Sequence, residues 1–281
     1  MIQLAVIGHL GLRVRDLEAM VRFYTDVMGL AVTAKDERHA WLGLEAGGHC
    51  LYLAEEEGPA VHHLAFALRP GQKLAAAADE LRAAGVPVTE GSSEPSGHGE
   101  TIRFLDPGGQ VVELFQPSLE PTGPVAERPL RPNRLQHLVL QTPEVERAAA
   151  FYHEKLGLRI SDWMGRKFVW LRCGTDHHDL AIVYAKDTGM DHFAYEIADW
   201  DEIKKWCDFL VPKGIKLLWG PGRHGPGNNL FIMFPDPEGN RVELSCEMEQ
   251  FYDESVTYQP REWTNFDAAL NLWGPGPTWR A

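Results

Sequence analysis

At 281 residues, with 44% hydrophobic and 24% charged side chains, the chain is long enough for at least one large core and has an ordinary globular composition. Its 40 acidic residues outnumber 27 basic ones, for a formal charge of −13, and no Lys/Arg-rich run interrupts that excess, so a nucleic-acid partner is not expected. The apolar opening MIQLAVIGHLGLRVRD meets Arg13 and Arg15 long before a membrane-spanning length and reads as a buried strand, and no membrane partner is expected. Four scattered cysteines without a CxxC pair fit a reducing cytoplasm.

In chain order, the alternating LAVIGHLGLRV predicts a strand, with Asp16 as the N-cap of a helix whose apolar positions Leu17, Met20, Val21, Tyr24 and Met28 recur at helical spacing. Gly29 ends that helix. A second helix is predicted over KLAAAADELRAAG, before Gly85, and short strands fill the intervals. Next comes PSLEPTGPVAERPLRPNR, whose prolines at 117, 121, 124, 129 and 132 neither continue a helix nor pair within a sheet, so residues 118–132 read as a linker.

Beyond the linker the pattern returns. His9-Leu10 matches His137-Leu138 and Phe23-Tyr24 matches Phe151-Tyr152 at an offset of 128 (137 − 9), His63 matches His192 at 129 (192 − 63), and Glu113 matches Glu243 at 130 (243 − 113). Thr142 and Pro143 are read as cap and first position of the equivalent helix, and DEIKKWCDFLVPKG as its second helix. The repeat defines two modules, 1–117 and 133–250, followed by an aromatic tail at 251–281. Each module reads as two β-α-β-β-β units, an α+β fold in which paired units form a cup-shaped, partly closed and mostly antiparallel sheet with a pocket on its concave face.

The strands that open each unit, GHLGLRV, HHLAFAL, QHLVLQT and DHFAYEI, all carry a histidine among apolar residues, and each module's closing strand, VVELFQ or RVELSCE, carries a glutamate. Alternate strand residues share a face, so His137, His192 and Glu243 can converge, as can His9, His63 and Glu113. Two imidazoles and a carboxylate suit non-haem Fe(II) or Mn(II), and the same set also serves catalytic zinc.

The segment GRHGPGNNLFIMFPDPEGNRVELSCE, with HHDLAIV, DHFAYEI and RLQHLVL, resembles the type I extradiol dioxygenases of the vicinal-oxygen-chelate (glyoxalase/bleomycin resistance/dioxygenase) superfamily, across both modules and most sharply in the second. The resemblance implies that His137, His192 and Glu243 hold Fe(II), alternatively Mn(II), in the catalytic second module. It further implies His178 as acid-base catalyst and His224 as a substrate-side histidine. The expected reaction is cleavage of a catechol-type aromatic diol with O2 as co-substrate, in a homo-oligomer. Its first module is expected to be a metal-free scaffold, so His9, His63 and Glu113 form either a second metal site or the vestige of one. The loop opposite HGPGNN is there the shorter SGHGE around His98.

Met233 stands where the family pattern has a Tyr, which bears on the substrate. With Asn228, and with Tyr252 and Arg261 in the tail, it is assigned to the substrate pocket, the tail being read as a packing element or a lid. Two further readings share the fold, a metal-dependent isomerase or lyase of the glyoxalase type and a non-catalytic binding or resistance protein. The isomerase would need a fourth carboxylate ligand, and a histidine, His178 or His49, takes its place.

Overall fold

The computed structural model describes residues 1–44, 48–58, 60–92, 99–117, 130–253 and 256–277. Most of the expected linker, 118–129, lies outside the described residues, as do His98 and the last four positions of the tail.

The first module runs β1 (Leu4–Val14), α1 (Leu17–Asp26), β2 (Ala31–Lys35), β3 (His39–Gly43), β4 (Leu51–Glu55), β5 (Val61–Leu68), α2 (Leu74–Ala83), β6 (Thr89–Ser92), β7 (Glu100–Leu105) and β8 (Val111–Phe115). The second repeats it as β9 (Arg134–Thr142), α3 (Val145–Glu154), β10 (Arg159–Met164), β11 (Phe168–Arg172), β12 (Leu180–Tyr184), β13 (Gly189–Glu196), α4 (Trp200–Leu210), β14 (Trp219–Arg223), β15 (Leu230–Pro235) and β16 (Arg241–Cys246). The tail adds β17 (Arg261–Trp263) and α5 (Phe266–Leu270).

Strand order in the first sheet is β2-β3-β4-β1-β5-β8-β7-β6. The second has the same order with each number raised by eight, and β17 joins its β10 edge in parallel. Within each β-α-β-β-β unit the opening and closing strands pair in parallel, as β1 with β4 and β5 with β8, because the helix returns the chain to the same end. Hairpins supply the antiparallel remainder, and opening strands β1 and β5, or β9 and β13, join at the centre.

Asp16 caps α1 as its type predicts, its side chain accepting from the Ala19 N–H. Thr142 does not cap α3. It closes β9, where its carbonyl accepts from Ala185, and its hydroxyl accepts from the Glu144 N–H, so the helix begins two residues later than expected. Helices α1 and α3 bury Leu17, Met20 and Tyr24, or Val145, Ala148 and Tyr152, on one face. One core cluster runs through both modules.

Two reciprocal bonds tie the modules together. The Tyr24 hydroxyl donates to Asp236 Oδ2 and the Tyr152 hydroxyl to Asp106 Oδ2, both at 2.9 Å and both buried. Each aspartate opens the turn between the last two strands of its module, where its other oxygen accepts backbone N–H groups. Repeat-equivalent residues therefore clasp each other across a pseudo-twofold relation.

Candidate metal centre

His137 lies on β9, His192 on β13 and Glu243 on β16, three adjacent strands. His192 pairs with Val139 and Ala194 with both His137 and Glu243, so the alternation of strand side chains turns all three groups to the same face. Their ligand atoms lie within 4.8 Å of one another, and all three residues are buried. Both imidazoles present Nε2. Nδ1 of His192 is 2.8 Å from Asp191 Oδ1 and Nδ1 of His137 is 3.3 Å from Gln136 Oε1; a carboxylate or amide oxygen accepts, so Nδ1 carries the proton and Nε2 a lone pair in the neutral ring.

Glu243 Oε2 is the atom that asks for an ion. The residue is fully buried, and this oxygen has no aligned hydrogen bond although His192 Nε2 is 3.2 Å away and His224 Nε2 3.9 Å away. Its other oxygen accepts from Asn229 Nδ2 at 3.2 Å and faces His137 Nε2 at 3.9 Å. Burial opposes ionisation of Glu243, but the contacts with His192 and His224 overcome it and hold the carboxyl well below its ordinary range. Burial drives His137 down to about 3, keeping it neutral. Burial alone would also lower His192, yet Asp191 and Glu243 outweigh it and raise the ring above its ordinary value. A buried carboxylate facing imidazole lone pairs favours a cation at that point, and a divalent ion fits the donor set.

His178 stands two residues before β12, the neighbour of β9, and its ring packs on that of His137 with centroids 4.3 Å apart. Burial and the neighbouring histidines push it well below its ordinary value. His224 follows β14, stacks on Phe231 at 3.9 Å and donates from Nδ1 to the Leu270 carbonyl at 2.5 Å. These residues border a cavity whose apolar wall includes Val139, Phe168, Trp170, Trp219, Met233 and Leu270.

The other assigned pocket residues divide. Met233 is buried in the cavity wall and pairs with Glu243 across β15 and β16. Asn228 is not among the cavity-lining residues; its backbone takes positive φ (53°) and its carbonyl accepts from Arg223. Tyr252 is exposed and borders a separate cleft. Arg261 turns away to Asp162 and Glu249. The tail does reach the site through Leu270 and Pro277, so it packs on the module and walls the cavity at once.

Sequence reading missed Asp191, Asn229, His177 and Asp162. Asp191 is legible in principle, as an acid directly before a candidate ligand histidine; Asp162 lacks any local cue.

In the first module His9, His63 and Glu113 also converge within 4.8 Å, and His49 packs on His9 at 4.1 Å. The surroundings differ. Arg103 Nε donates to Glu113 Oε2 at 2.6 Å, and His63 Nδ1 meets His62 Nδ1 at 2.7 Å where His192 has Asp191. Burial raises Glu113 despite Arg103, and burial and His62 lower His63, both opposite to their counterparts.

Two tandem modules with a two-histidine, one-glutamate centre on the concave sheet define the class. Residues 6–114 and 134–244 both match the Glyoxalase/Bleomycin resistance protein/Dioxygenase superfamily, and the chain belongs to it. It is 30% identical to metapyrocatechase 2 of Cupriavidus necator, over 96% of this chain and 88% of that one. It is 32% identical to an iron-dependent extradiol dioxygenase of Rhodococcus jostii, over 70% of this chain and 71% of that one. Among solved structures, a Mn(II)-bound glyoxalase from Novosphingobium aromaticivorans superposes with a TM-score of 0.87 at 28% identity, covering 99% of this chain and 94% of that one.

Proposed function

We propose that this protein is an extradiol ring-cleaving dioxygenase that inserts both atoms of O2 into a catechol-type aromatic diol, with His137, His192 and Glu243 holding Fe(II), alternatively Mn(II). The observation that carries the reading is the fully buried Glu243, whose Oε2 lacks an aligned hydrogen bond and faces imidazole nitrogens. The relatives named as extradiol enzymes support it. A divalent metal held by His137, His192 and Glu243 would supply Lewis-acid and redox chemistry toward a diol and O2.

The remaining work falls to the chain. His178, neutral and beside His137, takes a proton from a diol hydroxyl and returns it as the O–O bond breaks. His224, donating from Nδ1 to the Leu270 carbonyl, keeps the Nε2 lone pair to accept from a substrate hydroxyl. The aromatic wall of Phe168, Trp170 and Trp219 takes a flat ring and excludes water. The glyoxalase neighbour makes isomerisation the second reading, but His178 stands where that chemistry would need a carboxylate.

Anaerobic reconstitution with Fe(II), then a panel of catechols in air, tests the assignment. A yellow ring-opened product with matching O2 uptake is expected. Turnover of an isomerase substrate without O2, or no O2 uptake by fully loaded protein, overturns it.

Among the described residues no helix is long and apolar enough to cross a membrane, and all four cysteines are free thiols. These features support a cytoplasmic setting. The homo-oligomer expected from the family resemblance is tested by light scattering.

A further inference from the structure

His178 is the visible end of a longer chain of polar groups. Its Nδ1 lies 3.0 Å from Nδ1 of His177, the rings meeting edge to face at 89°. On the far side of His177, Nε2 faces Asp162 Oδ2 at 3.1 Å, without full hydrogen-bond alignment. His177 and Asp162 are both fully buried. The C-terminal strand closes the chain: Arg261 Nε donates to Asp162 Oδ1 at 2.9 Å and Trp263 Nε1 to Oδ2 at 2.7 Å. None of these residues belongs to the metal triad.

With both imidazole rings in their neutral forms, the donor and acceptor roles along this chain leave one arrangement. An ionised carboxylate only accepts, so the hydrogen between Asp162 and His177 sits on Nε2 of His177. Neutral His177 then has a lone pair at Nδ1. The hydrogen between the two Nδ1 atoms therefore belongs to His178, and His178 Nε2, across the ring, is left as a base. Burial opposes the charge on Asp162, but His177, Arg261 and Trp263 outweigh it and hold the carboxyl below its ordinary value.

We infer that Asp162 and His177 are positioning residues that fix His178 in its Nδ1–H tautomer, with Nε2 unprotonated, and that strand β17 completes this relay by clamping Asp162. The inference rests on the reading of His178 as the proton carrier. Two observations separate it from simple packing. At the repeat-equivalent positions the first module has Ala34 and Gly48, so the relay exists only in the module whose triad is backed by Asp191. The loop before β15 also closes on the pair: a Cβ at Gly227 would sit 3.2 Å from His177 Nδ1 and 3.3 Å from His178 Cε1, and its φ of +79° disfavours any side chain there.

The test is the tautomer itself, read by nitrogen-15 NMR on full-length protein labelled at histidine and loaded with diamagnetic Zn(II), with His178 assigned by its loss in His178→Asn. The expected wild-type spectrum has the protonated nitrogen of His178 at Nδ1. In His177→Phe it moves to Nε2, and kcat with Fe(II) and catechol falls about 10–100-fold at unchanged KM, the usual cost of losing such an outer partner. His177→Gln, which keeps a donor and an acceptor, restores both. A wild-type Nε2–H tautomer, or Gln and Phe variants with equal kcat, overturns the relay. Should His177→Phe fail to fold, the wild-type tautomer still decides. The expected spectrum in a protein that cleaves no catechol would leave the relay standing and remove only the ring-cleavage reading.

Discussion

Arg103 Nε donates to Glu113 Oε2 at 2.6 Å, while the position that pairs with Glu243 in the second sheet is Met233. The register is the same in both sheets, so a guanidinium occupies in one module the flank that a thioether occupies in the other. Arg103 already supplies positive charge to the glutamate, and His62 replaces the carboxylate that backs the second-module histidine. Metal titration is therefore expected to give one equivalent per chain, lost in His137→Ala. The pair Arg103→Met with His62→Asp should admit a second equivalent; two equivalents in the unaltered protein would contradict this account.

Asp191 holds the ring of His192 and is itself paired with Arg241 at 2.9 Å. Asp191→Asn should weaken metal binding about 10–100-fold. Protons compete with the metal for His192, whose raised value means that affinity declines, as pH falls, earlier than an unperturbed histidine would give. Removing the Asp191 charge should shift that decline to lower pH. Equal affinity and pH dependence in both proteins, by metal-chelator competition, would refute the role.

The tail joins the site in three ways: β17 extends the sheet, Leu270 accepts the bond that orients His224, and Leu270 and Pro277 wall the cavity. Ending the chain at Tyr258 should lower kcat as well as raise KM, each on the order of tenfold or more, because reacting groups lose their fixed positions. Unchanged steady-state kinetics would show that the tail only packs.

The Tyr24–Asp236 and Tyr152–Asp106 bonds place a carboxylate under each partner's phenol at the junction between modules. Tyr24→Phe and Tyr152→Phe should each cost about 1.5–3 kcal/mol, the range for a hydrogen bond to a charged group. Urea unfolding measures this directly, and an unshifted midpoint in either variant would discount the clasp.

Met233 is buried beside Glu243 in the cavity wall. Met233→Tyr should change relative rates across a panel of substituted catechols, since it places a hydroxyl where the cavity is now apolar. Uniform scaling of every rate would separate this position from substrate choice.

The doubled β-α-β-β-β pattern, the helices and the two triads were all legible in the one-dimensional chain, because strand alternation, helical spacing and a repeat near 128 residues are local or self-referential signals. Asp162, His177, Arg261 and Trp263 were not. Asp162 and His177 meet Arg261 and Trp263 only because β17 returns to the β10 edge, and no spacing rule encodes which edge a tail will choose. The triads of the two modules look alike as letters; Arg103 and Asp191 distinguish them through distances of 2.6 and 2.8 Å that exist only after the sheets close. Composition and periodicity determine which faces are buried, and the folded chain decides which charges those faces meet.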